Sequence, residues 1–161
     1  MKIADKQRWV FRAYVYDRSG ALTSIASAFS NEGISIDTVV GHGLEEQAGI
    51  DGSVVMTFRC GEKEKEIMVR KIRRLSKVKS LKEHPYDSQN LRKSAIIRTV
   101  RKLVPGDVAG EHSFLTSELV HSGPQGYTFL LAGSPSELDP VLTRLGKEGV
   151  VTDLVYSIIG L

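Results

Sequence analysis

The run Asp17-Arg18-Ser19-Gly20-Ala21-Leu22 places a carboxylate, a hydroxyl and a glycine directly ahead of an apolar helical stripe. That order suits anion recognition. The first N–H groups of a helix have no partner within it, the dipole favours negative charge at that end, and glycine lets the backbone turn closely. Ser19 is expected to act as the N-cap. The turn is therefore the candidate ligand site, and its chemistry is the holding of a carboxylate or phosphate. Residues for bond making do not assemble elsewhere. His42, His84, His112 and His121 are scattered without metal-ligand spacing and none pairs with a cysteine in a known pattern, so no metal site is expected. Ser19-Gly20 and Ser122-Gly123 are not a Gly-x-Ser-x-Gly elbow, and no nucleophile, base and orienting acid come together by motif. No catalytic residue is assigned. Cys60 shares a strand phase with Met56 and Phe58, as a packed thiol would.

The elements that hold the turn are legible on both sides of it. Trp9, Phe11, Ala13 and Val15 alternate along Trp9–Tyr16, the period of a half-buried strand. Leu22, Ile25, Ala26 and Phe29 fall at i, i+3, i+4 and i+7, one stripe of a helix that Glu32-Gly33 ends. A strand is expected over Ile34–Val40, then a Gly-rich turn, and another where Val54, Met56, Phe58 and Cys60 alternate. A second helix follows from about Glu62 to Leu75 with Met68, Ile72 and Leu75 inward, and a fourth strand from Val78 to Tyr86. The order β-α-β-β-α-β is that of a ferredoxin-like unit.

Polar Asp87-Ser88-Gln89-Asn90 marks a boundary, giving expected domains at 1–87 and 91–161. In the second, Ala95, Ile97 and Thr99 alternate as a strand. Pro105–Ser113 reads as a short or frayed helix because Gly106 and Gly110 each cost about 1 kcal/mol relative to alanine. Phe114–His121 and Tyr127–Leu131 read as a hairpin. Leu138, Val141, Leu142 and Leu145 repeat the first helix's spacing, with Pro140 expected near the helix start, and Val150–Ile159 is the last strand. The fold class is α+β, with two ferredoxin-like units.

Composition bounds the rest. With 161 residues, 41% hydrophobic and 25% charged, the chain can bury a core without disulfides or metal, and its one cysteine fits a reducing cytoplasm. Polar Met1–Arg8 and the absence of a long apolar run predict neither a signal peptide nor a membrane span. Net charge is only +3. Lys63–Lys82 carries nine Lys or Arg residues, but Glu62, Glu64, Glu66 and Glu83 dilute them, so a solvated helix face is favoured over a nucleic-acid surface.

The stretch Arg12–Asp37 resembles an ACT domain, whose first strand runs into a D/N-x-x-G-x-L turn, here Asp17, Gly20 and Leu22. The whole chain resembles the small regulatory subunit of acetolactate (acetohydroxyacid) synthase. Ser19-Gly20-Ala21-Leu22 opens the helix, Gly33 precedes Ser35-Ile36, Tyr127–Gly133 ends in Leu-Ala-Gly, Leu138-Asp139 follows, and Gly160-Leu161 closes the chain. The resemblance implies a non-catalytic subunit without a cofactor. It would pair through its N-terminal ACT units into one sheet as a homodimer, bind a branched-chain amino acid such as valine at that interface, and regulate a large thiamine-diphosphate-dependent catalytic subunit. The effector residues it implies are Asp17, Ser19, Gly20, Ala21, Leu22, Ser35 and Ile36. Gly20 and Ala21 N–H groups would hold the carboxylate, with Leu22 and Ile36 around the side chain.

The family usually has asparagine at the positions of Asp17 and Ser35. An ionised aspartate only accepts hydrogen bonds; at about 4 Å from a bound carboxylate it would repel by ~4 kcal/mol, and beside the ammonium it would attract. Asp17 as a plain turn cap is the alternative. Two other functions stand beside the regulatory subunit: a stand-alone tandem ACT sensor acting on transcription or another enzyme, and an assembly factor without an effector.

Overall fold

The computed structural model describes residues 6–16, 19–43, 51–109 and 115–160. Asp17, His112 and Phe114 lie outside them. The chain is α+β and forms two compact units, residues up to Ser88 and residues Gln89–Ile159, each with a four-stranded sheet and a βαββαβ element order.

In the first unit, β1 (Gln7–Val15) is central, β3 (Gly52–Cys60) and β4 (Val78–Pro85) flank it antiparallel, and β2 (Ile36–His42) lies outside β3. Both neighbours of β1 are non-adjacent in sequence because α1 (Ala21–Asn31) and α2 (Glu62–Arg73) cross over between strands. The helices cover one face. The expected alternation holds there: Trp9, Phe11, Ala13 and Val15 are buried together with Val54, Met56, Phe58 and Cys60. Phe58 is at the centre, its ring 4.7 Å from those of Phe11 and Phe29 in edge-on geometry. Burial, then the carboxylates of Glu64 and Glu62, push the Cys60 thiol up to about 11, which keeps it protonated and unreactive at neutral pH.

One local expectation is corrected and another extended. The buried stripe of α1 is Ala21, Ile25, Ala28 and Phe29, whereas Leu22 is 47% exposed. A 100°-per-residue helix accommodates either phase, and the direction in which β1 delivers the chain selects the one starting at Ala21. The second helix is capped at its start by Glu64, whose Oε2 accepts the Gly61 N–H at 2.8 Å, and Val69 joins Met68 and Ile72 in its buried face.

The second unit repeats the order: β5 (Leu91–Thr99), α3 (Pro105–Val108), β6 (Thr116–Gly123), β7 (Gly126–Gly133), α4 (Pro135–Lys147) and β8 (Val151–Gly160), with the sheet running β6-β7-β5-β8. Ala95, Ile97, Phe129, Leu131, Leu138 and Leu145 form its core. Pro135 occupies the first helical position, so Pro140 sits inside α4 and not near its start as expected. Lys93 is buried but paired with Asp139 and lies 3.9 Å from the centre of the Tyr156 ring, which compensates its charge.

Candidate functional site

The turn that opens α1 follows directly from the end of β1. Gly20 is its N-cap, at φ 76° in the left-handed region, and no side chain of the described residues caps the helix. Ser19 therefore does not act as the N-cap, contrary to expectation. The chain reverses at glycine, the residue that takes this backbone conformation without a Cβ penalty. Ser24 sends both its N–H (3.0 Å) and its hydroxyl (2.9 Å) back to the Gly20 carbonyl, which ties off the acceptor side of the first turn. The donor side keeps the N–H groups of Ala21, Leu22 and Thr23, which an α-helix leaves unmatched. The first turn holds no acidic residue.

One residue at this mouth carried no sequence signal. Lys77, 58 positions away at the entrance to β4, donates its ammonium to the Ser19 carbonyl and lies 3.0 Å from where a Cβ on Gly20 would stand. A cation thus sits beside the glycine. Beyond it runs an open groove of about 660 Å³ between the two helices, bordered by Ser24, Ser27, Lys71 and Leu75.

The structure brings Ser19, Gly20, Ala21 and Leu22 to one place. Ser19 and Gly20 are exposed, Ala21 is buried against the core, and Leu22 projects outward. Ser35 and Ile36 are elsewhere. Ile36 pairs with Phe58, and Phe58 with Trp9, at the end of β1 opposite Val15. Six residue steps along β1 separate those rungs, roughly 20 Å at 3.3 Å per residue. Within one chain the two halves of the expected site are therefore apart, with Ser35 exposed and Ile36 half-buried against the core.

The corresponding helix start in the second unit is closed by its own side chains. Asp107 accepts the Val104 N–H at 2.7 Å and holds Arg101 with both oxygens, at 2.8 and 2.9 Å. Arg144 adds a bond to the Asp107 carbonyl. The Arg101 guanidinium, then the Val104 N–H, hold the Asp107 carboxyl far below the usual carboxylate range. A group depressed in this way stabilises the fold above its unfolded value near pH 3.9, and the contribution is lost as pH falls below that value. Asp107→Asn is accordingly expected to cost about 2 kcal/mol at pH 7 and clearly less at pH 2, where part of the contribution is already lost, read from urea unfolding of the two proteins at each pH. An equal penalty at both ends would refute the ionic account. Of the two helix starts, then, only that of α1 lacks a carboxylate cap from the described residues.

Among the described residues there is no cluster of His, Cys, Asp or Glu that could hold a metal ion, and no helix is long and apolar enough to cross a membrane. No family model matches the chain, and no curated protein matches it. Solved structures do. The aspartate kinase of Clostridium acetobutylicum matches with a TM-score of 0.49 at 13% identity, over 88% of this chain and 32% of that one. The regulatory subunit of aspartate kinase from Thermus thermophilus matches with a TM-score of 0.46 at 10% identity, over 89% and 94%. The acetolactate synthase small subunit from Thermotoga maritima matches with a TM-score of 0.69 at 14% identity, over 96% of both chains. The two-unit, ACT-type fold of this chain is thus similar, along nearly its whole length, to that of an acetolactate synthase small subunit.

Proposed function

We propose that this chain is a non-catalytic regulatory subunit that senses a small amino acid and modulates the catalytic subunit of an acetolactate synthase. The start of α1 carries the reading: N–H groups without a partner in the helix or a side-chain cap among the described residues, a left-handed glycine and an adjacent lysine suit an amino acid's carboxylate, within a fold similar to that of such a small subunit. A branched-chain amino acid, valine first, fits the apolar Leu22 beside those donors. Residues 1–87 would be the sensing domain and residues 91–161 a second domain of related architecture.

The separation of Gly20 from Ser35 favours a site shared by two copies. In the sheet β2 is an edge strand, and an unpaired edge is a template for another chain. Pairing two β2 edges antiparallel about a twofold axis would set the Ser35 end of one copy beside the His42 end of the other. His42 lies level with Ser53 and Tyr14, near where β1 hands over to the α1 turn. Ser35 and Ile36 of a second copy would then face Gly20 and Leu22 of the first, completing the pocket that one chain leaves half-built.

The test is acetolactate formation by the candidate catalytic subunit, with and without this chain, across a panel of amino acids. Copurification and a rate that valine, leucine or isoleucine changes only when the chain is present are expected. No copurification and no effect on rate would overturn the proposal. Salt-sensitive binding to duplex DNA instead would assign a stand-alone sensor acting on transcription.

A further inference from the structure

The second unit holds a concavity of about 290 Å³ at the β6–β7 turn, bordered by Arg98, His121, Gly123, Gly126 and Thr128. Three of these form one cross-strand row: Arg98 on β5 stands opposite Thr128 on β7, and Thr128 opposite His121 on β6. Directly opposed residues project from the same face with Cβ atoms roughly 5 Å apart, so a guanidinium and an imidazole flank a hydroxyl. The face is the one away from the unit's core, because Ala95, Ile97 and Thr99 on alternate positions of β5 are fully buried.

A bulge puts His121 there. Leu119 opposes the buried Phe129, Val120 has no opposing residue of its own, and His121 takes the place opposite Thr128 that an unbroken strand would give to Val120. The glycines are equally specific. A Cβ on Gly123 would stand 2.9 Å from His121 Nε2, so glycine is what lets the ring lie over the turn. Gly126, at φ 112°, could not carry a Cβ at all without meeting the Thr99 carbonyl oxygen at 2.4 Å.

Neither the Arg98 guanidinium nor the His121 ring has a hydrogen-bond or ion-pair partner among the described residues. Glu118, opposite Leu130 on the same face, pairs with neither. Two exposed donors of this kind, on either side of a hydroxyl in a concavity and without acceptors among the described residues, are open to an acceptor from outside.

We propose that this cradle binds the oxyanion group, carboxylate or phosphate, of a small metabolite. Arg98 would grip two of its oxygens, Thr128 would donate its hydroxyl from below, and His121 would donate a ring N–H from the far side. The volume is at the low end of ligand pockets, which limits the ligand to a small molecule. This site is independent of the α1 turn and does not rest on the amino-acid reading of that turn.

The experiment follows the backbone amide signals of Gly123 and residues 125–128 in the full-length, isotope-labelled chain by NMR, during titration with inorganic phosphate and, separately, with sodium acetate. Saturable shifts with at least one of them are expected. Phosphate alone assigns a phosphoryl group, acetate alone a carboxylate, and both a general oxyanion site. Arg98→Ala is expected to weaken binding about tenfold or more. Gly123→Ala keeps every charge, is not at a left-handed backbone position, and displaces the imidazole; it is expected to weaken binding about threefold. Circular dichroism of each variant establishes folding first, and Gly123→Ala decides the matter if Arg98→Ala does not fold. No saturable shift with either anion, or equal affinity in the folded variants and the parent chain, would overturn the proposal.

Discussion

Truncating Phe58 to alanine is expected to cost the first unit about 4 kcal/mol, a large share of the 5–15 kcal/mol that stabilises an ordinary domain. The side chain is fully buried, and its ring meets Phe11 and Phe29 at 4.7 Å each. These rings belong to β1 and α1, and a helix tied to the sheet on one side and to a second helix on the other cannot move in to fill the cavity. The loss should therefore lie at the upper end of the range for such truncations. Phe58→Leu, which keeps most of the volume, should cost only about 1.5 kcal/mol. The protein reports this itself: its single tryptophan, Trp9, is buried in the same core, so fluorescence followed through a urea titration reads the first unit selectively. With a denaturant slope of about 2 kcal/mol per molar, the midpoint should fall by about 2 M. A shift below about 0.5 M would mean that the aromatic cluster does not anchor α1 to the sheet.

Gly20→Asp is expected to abolish effector binding while leaving the chain folded. Aspartate tolerates the left-handed region better than most residues, and its Cβ would fall 3.0 Å from the Lys77 amine, so the new carboxylate gains a cation. The same carboxylate would occupy the start of α1, where the proposed ligand's own carboxylate belongs. At about 4 Å and an effective dielectric near 20 the repulsion approaches ~4 kcal/mol, on the order of a thousandfold in affinity. Gly20→Ala separates charge from backbone strain: it introduces the left-handed penalty of about 1–2 kcal/mol and the same close approach of a Cβ to the Lys77 amine, without a carboxylate. Calorimetric titration of the three proteins with valine, leucine and isoleucine reads the difference. Heat for the parent chain, reduced for the alanine variant and absent for the aspartate variant, is the expected series. Equal heats for the parent and the aspartate variant would remove the α1 turn from the sensing account. They would leave the Arg98–Thr128–His121 cradle untouched, because that is tested with different ligands and variants.

How far the chain could be read in advance differs from element to element for reasons that are physical. Trp9, Phe11, Ala13 and Val15 announced their strand because one face of a sheet against helices imposes a strict period of two. The same pattern says which residues share a face and not whether the other face is covered. Val10, Ser53, Val55 and Thr57 are buried as well, and two of these are hydroxyl residues that alternation assigns to solvent. In α1 the apolar positions allowed two phases, and only the packed structure shows Ala21 inside and Leu22 outside. The glycine that opens α1 was visible because a left-handed turn before a helix has few chemical solutions. Lys77 was invisible, since its role depends on a fold bringing together residues 58 positions apart.

The amino-acid sequence by itself determined the α+β class, the βαββαβ order of each unit and the turn at Gly20, since period, glycine placement and turn chemistry act over a few neighbouring residues. Tertiary structure alone decided the rest. Strand pairing put Ser35 and Ile36 at the end of the sheet opposite the one where β1 leads toward Gly20, Asp107 closed the start of α3, and a bulge in β6 turned His121 onto the row of Thr128 and Arg98. Each of these depends on register between segments distant in the chain, and register is chosen by the whole core rather than by any local stretch.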